Sequence, residues 1–245
     1  MSIVEGRRVP TRWDAVVFGA KVWGLRAQRG LQDFRGGLRR WPVSDGGETD
    51  WHDARVVSTL LWTVTDARER EMERGKVENL RRAAALLDGV VVDAGGVFSF
   101  WRQMGRASAA RGFVVGRMLK QGCVVPAVGG GLCQLTNALY EAALMSGCEI
   151  VERHGHSMQL VGMPVHDATV AWNYVDLRVR ARQRMRLKIE VGDAELSVGV
   201  QFLEPMKQMP MLLEVVQSKR PAVHVGSCVS CGEVECFRHQ AEARK

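Results

Sequence analysis

The segment 184–202 constrains the fold more than any other part of the chain. Met185, Leu187, Ile189 and Val191 alternate with Arg184, Arg186, Lys188 and Glu190. Gly192-Asp193 then offers a turn, and Leu196, Val198, Val200 and Phe202 alternate on the way back. Successive side chains of a strand point to opposite faces, so a period of two gives one apolar face and one polar face. Two such runs around a Gly-Asp turn predict an antiparallel hairpin. Its apolar face needs a cover and its charged face should be solvated.

Helices are the expected cover. Residues 66–88 have helical periodicity, with Asp66 as N-cap, Val77, Leu80, Ala84 and Leu87 on one face, and Gly89 as the stop. Val90-Val91-Val92 predicts a short strand, Asp93-Ala94-Gly95-Gly96 a turn, and Val97-Phe98-Ser99-Phe100 a return to apolar character. Residues 133–146 predict a second helix, with Leu135, Leu139, Ala142 and Ala143 on one face and Gly147 after it. The fold class expected is therefore α+β, an antiparallel sheet with packed helices.

Three regions follow from the pattern. Residues 51–204 form the main domain. Pro205 and Pro210 mark a boundary before a Cys-rich C-terminal tail, 205–245. Residues 1–50 form a basic helical appendage, in which Trp13, Val16, Val17, Ala20, Trp23 and Ala27 recur at helical spacing among Arg12, Lys21, Arg26 and Arg29. Such a helix either packs on the main domain or lies on a membrane surface or a partner.

The formal net charge is +7, most of the basic side being arginine. This favours anionic partners such as phosphates, carboxylate-bearing substrates or an anionic surface. It is too mild to indicate specific nucleic-acid binding. Residues 1–12 lack the apolar core of a signal peptide, and no apolar run approaches the ~20 residues of a membrane span. A cytoplasmic location is the expectation. The six cysteines, Cys123, Cys133, Cys148, Cys228, Cys231 and Cys236, are then thiols, metal ligands or catalysts rather than disulfides.

Gly129-Gly130-Gly131-Leu132-Cys133-Gln134 places a cysteine where a glycine run becomes a helix. Glycines permit backbone angles and close approaches that side chains forbid. The first N–H groups of a helix lack intrahelical partners and carry the positive end of its dipole, which favours thiolate over thiol. The N–H groups around Gly129, Gly130, Gly131 and Gln134 could hold a ligand or an oxyanion. The local pattern fits equally a small buried residue beside a tight turn.

Cysteine catalysis usually needs a base, and Glu152-Arg153-His154-Gly155-His156-Ser157 supplies two histidines. His156 precedes the strand-like Ser157-Met158-Gln159-Leu160-Val161, and Asp167 precedes Ala168-Thr169-Val170-Ala171-Trp172. A histidine on one strand and a carboxylate on the next can align with Cys133 as a Cys–His–Asp relay. His154 is the rival base.

The tail holds Cys228-x2-Cys231-x4-Cys236-x2-His239. Three thiolates and an imidazole make a tetrahedral zinc set, with an iron–sulfur cluster as the alternative. Metal would supply the energy that orders so short a segment, and the resulting module could dock a protein partner. Cys123, Cys148, His52, His166 and His224 belong to no motif and are read as structural.

An ordered series of short blocks resembles the VanW family, named for its association with vancomycin-resistance gene clusters. The blocks are Phe98-Ser99-Phe100, Arg111-Gly112-Phe113, Gly129 to Gln134, Leu139-Tyr140-Glu141-Ala142-Ala143-Leu144, Glu152-Arg153-His154 with His156-Ser157, Asp167-Ala168-Thr169-Val170 and Asp176-Leu177-Arg178. The resemblance covers roughly residues 55–180. It implies a connection to the cell envelope and peptidoglycan. Some members of that family are regarded as cysteine-dependent L,D-transpeptidases, which carries over onto Cys133 as nucleophile and His156 as base. The expected function is thiol-dependent acyl transfer or hydrolysis on a peptide-like, cell-wall-related substrate. The competing expectation is a non-enzymatic protein that holds an anionic or peptidyl ligand in the same cleft.

Overall fold

Local propensities set the elements, and one shared apolar core assembles them. A computed structural model describes residues 12–44, 50–63, 67–120, 123–156 and 167–204. In chain order these form α1 (Arg12–Arg35), β1 (His52–Leu60), a 3-10 turn (Ala67–Glu69) and α2 (Arg70–Leu87). Then come β2 (Val91–Val92), β3 (Val97–Ser99), α3 (Phe100–Met104), β4 (Val115–Lys120) and β5 (Cys123–Val128). The last are α4 (Leu132–Met145), β6 (Glu149–Glu152), β7 (Arg178–Arg180), β8 (Met185–Val191) and β9 (Glu195–Phe202).

The alternating segment is the antiparallel hairpin of β8 and β9, in register from Met185 opposite Phe202 to Val191 opposite Leu196. It lies at the centre of a four-stranded sheet with the order β1-β9-β8-β2. Met185, Leu187, Ile189, Leu196, Val198, Val200 and Phe202 are buried, and α2 and α4 contact this sheet. The opposite face is only partly solvated. Arg186 donates to Gln201 at 2.8 Å and lies over the Trp51 ring. A second sheet, β3-β7-β6, and the ribbon β4-β5 complete the β structure among the described residues.

Gly89 and Gly147 follow α2 and α4 with φ of 74° and 69°, the left-handed backbone that ends a helix. The α2 helix starts later than its periodicity predicts. The 3-10 turn precedes it, and Glu69 at its cap position makes no side-chain cap bond. Glu69 pairs instead with Arg117 at 3.2 Å, so an ion pair takes the carboxylate that a cap would have used. Asp66, expected as the N-cap, lies outside the described residues, as do Ser157–Val161, His166, Pro205, Pro210 and His224. His52 is an exposed residue of β1.

The α1 helix does lie on the body, but not by its apolar stripe. Arg29 donates to both oxygens of Glu152 at 2.7 Å and to the Tyr174 carbonyl. Arg26 donates to the Trp172 carbonyl, and Asp33 accepts from Arg178 at 2.6 Å. The surface beneath α1 offers a carboxylate, two carbonyls and a guanidinium, so the polar face docks. Trp13, Trp23 and Phe34 remain 76%, 73% and 85% exposed.

Candidate active site

The start of α4 is held in place by a backbone crossing that only glycine permits. Gly129 and Gly131 have φ of 75° and 102°. A Cβ on Gly130 would fall within the backbone of Gly116 on β4, and one on Gly131 within the Lys76 side chain of α2. Buried Asn79 clamps the crossing. Its amide donates to the carbonyls of Val114 and Gly130 at 3.0 and 2.9 Å, and its oxygen accepts from the Val114 N–H at 2.9 Å. Lys76, beneath Gly131, is itself fixed by Glu73 and the Leu61 carbonyl, both at 2.6 Å.

Cys133 is therefore the second residue of α4, half-buried. The following turn draws the segment 167–170 against it. Thr136 Oγ1 donates to the Ala168 carbonyl at 2.6 Å, and the Asn137 side chain accepts from the Ala168 N–H at 2.7 Å. This sets Thr169 Oγ1 3.5 Å from Cys133 Sγ. The Thr169 N–H donates to the His154 carbonyl at 2.7 Å, and Arg153 donates to the Asp167 carbonyl at 2.9 Å. The chain from β6 is thereby aligned beside this segment.

His156 completes the group. Its backbone N–H donates to Asp167 Oδ2, and its ring Nδ1 lies 2.6 Å from Asp167 Oδ1. The imidazole is also the strongest influence that lowers the Cys133 thiol pKa. Burial pushes the thiol pKa up. The hydrogen bond and charge of His156, the Thr169 hydroxyl and the Val170 N–H outweigh it and hold the thiol below its ordinary value. Burial pushes the imidazole down, but its bonds to Asp167 and Cys133 raise it to about 10. Both shifts favour the thiolate–imidazolium form of the pair over the neutral one. Such a pair can attack an electrophilic carbon and return a proton to a leaving group.

The VanW like protein family matches residues 75–203, just over half of the chain. The chain belongs to this family. It is 31% identical over 143 residues to the Vancomycin B-type resistance protein VanW of Enterococcus faecalis, covering 56% of this chain and 52% of that protein. It is 30% identical over 106 residues to the uncharacterized protein YoaR of Bacillus subtilis, covering 43% of this chain and 35% of that one. The chain thus spans about half, or less, of the length of these curated relatives. No solved structure matches it.

Within the VanW-like domain, other predicted residues take different places. His154 turns to Glu152, at 3.1 Å, and is not part of the Cys133 group. The N–H groups of Gly129 and Gly130 donate to Val114 and Ala127, so neither is free to hold an oxyanion. Both amide hydrogens of Gln134 go to β1, at Thr59 Oγ1 and the Leu60 carbonyl, and tie the helix start to the sheet edge. The Gln134 N–H also donates, to the Gly131 carbonyl at 3.0 Å, so the donors left to this reading are the N–H groups that open the helix ahead of it, Cys133's own among them.

Asp176, in the block shared with Arg178, is a buried strut. It accepts from Ser99 Oγ at 2.6 Å, from the backbone N–H groups of Trp101 and Leu177, and from Arg178. Cys148 is buried, with its thiol pushed up to about 12, which makes it inert. Cys228, Cys231, Cys236 and His239 lie outside the described residues. Among the described residues no cluster of His, Cys, Asp or Glu could hold a metal ion, and no helix is long and apolar enough to cross a membrane.

Thr169, Asn79, Thr136 and Asn137 were not singled out by sequence reasoning. The available signal was polarity inside apolar helical faces: Asn79 lies between Val77 and Leu80, and Thr136-Asn137 between Leu135 and Leu139.

Proposed function

We propose that this VanW-family chain carries out thiol-dependent acyl transfer or hydrolysis on a peptide-like substrate. Cys133 is the nucleophile, His156 the proton carrier and Asp167 the group that orients it. The observation that carries this reading is that Asp167 holds His156 by ring and backbone while Thr169, two residues from Asp167, meets Cys133 Sγ at the start of α4, which brings the three groups together. A single cysteine beside a turn has no need of a doubly held histidine.

The Cys133 thiolate attacks the acyl carbonyl carbon, and the carbonyl electrons move onto oxygen, facing the helix-opening N–H groups. As the oxyanion collapses, the C–N bond breaks and the imidazolium of His156 gives its proton to the departing amine. A thioester remains on Cys133. An acceptor amine or water then attacks, its proton passes to His156, the C–S bond breaks, and the thiolate–imidazolium pair returns. One relative is named as a vancomycin resistance protein, so cell-wall peptides are the substrate class to try first.

The test is alkylation by iodoacetamide over a pH series, read by peptide mass spectrometry. Cys133 should react well below the pH at which an ordinary thiol ionises, and Cys148 should stay unmodified. His156→Ala should move the Cys133 profile to higher pH. A Cys133 that titrates like a free thiol, unaltered by His156→Ala, would overturn the enzyme reading and leave only ligand binding in the same cleft.

A further inference from the structure

An amphipathic helix on a globular protein normally turns its apolar side inward. In α1 the reverse holds. At 100° per residue, Val22, Arg26, Arg29 and Asp33 share the side that meets the body, and Trp13, Val16, Trp23, Leu31 and Phe34 share a stripe about 130° away. All five stripe residues are exposed. Between Trp13 and Phe34 the stripe runs for about 30 Å. The docking contacts are ion pairs and hydrogen bonds, so they fix the orientation of the stripe instead of hiding it.

Charge decides what covers the stripe. Residues 12–44 contain seven Lys or Arg and two Asp. Arg26 and Arg29 are committed to the body, and Asp33 is neutralised by Arg178. Lys21 and Arg35 remain exposed on the helix. A second copy would bring the same cations, and a like net charge of +7, against this face. An anionic bilayer surface meets both features, because acyl chains take the stripe and headgroups take the cations. Tryptophans such as Trp13 and Trp23 suit the headgroup boundary. The helix is too polar to cross a membrane, which fits a position in the plane of the surface.

We propose that α1 seats the protein on an anionic lipid surface through its outward apolar stripe, while its polar face holds the domain. The proposal is independent of any chemistry at Cys133.

The test is sedimentation of the full chain with vesicles. It should sediment with vesicles of phosphatidylglycerol mixed with phosphatidylcholine and not with phosphatidylcholine alone. Binding should weaken as salt rises, and tryptophan emission should shift to the blue on binding. A Trp23→Ser/Phe34→Ser double variant and a Lys21→Glu/Arg35→Glu double variant should each bind at least about tenfold more weakly. Both should keep the circular dichroism spectrum and the Cys133 alkylation profile of the parent. Failure to sediment with anionic vesicles, or undiminished binding by the stripe variant, would overturn the proposal. So would a dimer, seen by ultracentrifugation, that the stripe substitutions dissociate while vesicles have no effect.

Discussion

Asp167 holds His156 at two points: one carboxylate oxygen accepts from the backbone N–H, and the other lies 2.6 Å from ring Nδ1. The double contact fixes the rotation of the ring. It also makes Nε2 the ring nitrogen that Asp167 does not engage.

Asp167→Asn should therefore act at a distance, through the imidazole. The amide cannot stabilise an imidazolium, so the Cys133 thiol should return toward its ordinary pKa. Once that pKa lies above the working pH, each further unit lowers the thiolate fraction about tenfold. Alkylation rate against pH checks this. Loss of the base itself, in His156→Ala, should cost about 10²–10⁴ in any acyl-transfer rate.

The same contacts predict a pH dependence of stability. The folded His156 pKa is raised from 6.5 to about 10. Its protonated form therefore stabilises the fold fully below about pH 6.5, and that contribution declines until it is lost as pH passes about 10. Cys133 has the opposite sign. Its thiol is held below the ordinary value, so its contribution is present above that value and fades as pH falls through the lowered one. Between about pH 6.5 and 9 the two contributions offset, because the ion pair holds one proton just as the unfolded thiol and imidazole together do, so the difference in Tm between the parent and His156→Gln should be nearly flat there and narrow as pH falls below about 6.5. A difference that slopes steeply between about pH 7 and 8 would contradict the ion pair.

The glycine crossing can be tested against a control with similar backbone and open space. Gly95 has a φ of 77° and nothing within 4 Å of an added Cβ, whereas Gly131 has a φ of 102° and Lys76 in the way. Gly95→Ala should cost about 1–2 kcal/mol from backbone strain alone. Gly131→Ala should add about 1–3 kcal/mol of overpacking. Asn79→Ala strands the polar groups of Val114 and Gly130 and should also cost about 1–3 kcal/mol for each group left unsatisfied. Urea unfolding ranks the variants.

A double-mutant cycle on Arg29 and Glu152 should return a coupling of about 1–3 kcal/mol, since both are only 15% exposed and share two charged hydrogen bonds. Arg29→Ala should also expose α1 to proteolysis, because among the described residues the polar contacts of Arg26 and Asp33 are those left to hold it. No coupling would mean that the helix is seated by other contacts.

The spacing of Cys228, Cys231, Cys236 and His239 predicts one zinc per chain, with an iron–sulfur cluster as the alternative. Metal analysis of protein prepared without oxygen or chelators checks it, and Cys231→Ser should abolish the metal. A chain free of both zinc and iron would refute the prediction.

Periodicity revealed much of this fold in advance, and the reasons it stopped are physical. Residues 185–202 and α4 were legible because each must bury one continuous face. The edge strand β1 was not. It pairs on one side only, and Arg55, Val56, Ser58 and Leu60 are exposed, so no clean alternation marks it. Spacing located the apolar stripe of α1 but not its orientation, because the polar surface formed by Glu152, Trp172, Tyr174 and Arg178 exists only in the folded chain. Cys133, His156 and Asp167 were recognisable as chemistry. Their contact depends on Thr136, Asn137 and Thr169, whose hydrogen bonds leave no pattern in sequence. The glycines were recognised for their freedom, but which N–H groups they consume depends on the strand they cross.

The position of β1 also bears on how the protein can be cut. The family match begins at residue 75 and ends at 203, after β1 has already been laid down. A fragment trimmed to that match keeps Cys133, His156 and Asp167 but strips β9 of its neighbour along Phe202 to Glu195. A long, apolar strand with a bare row of N–H and C=O groups recruits other chains. The same cut leaves the Gln134 amide without Thr59 and Leu60, so the helix that carries Cys133 loses its tie to the sheet. Such a fragment should aggregate, and any part that stays in solution should carry a loosened thiol.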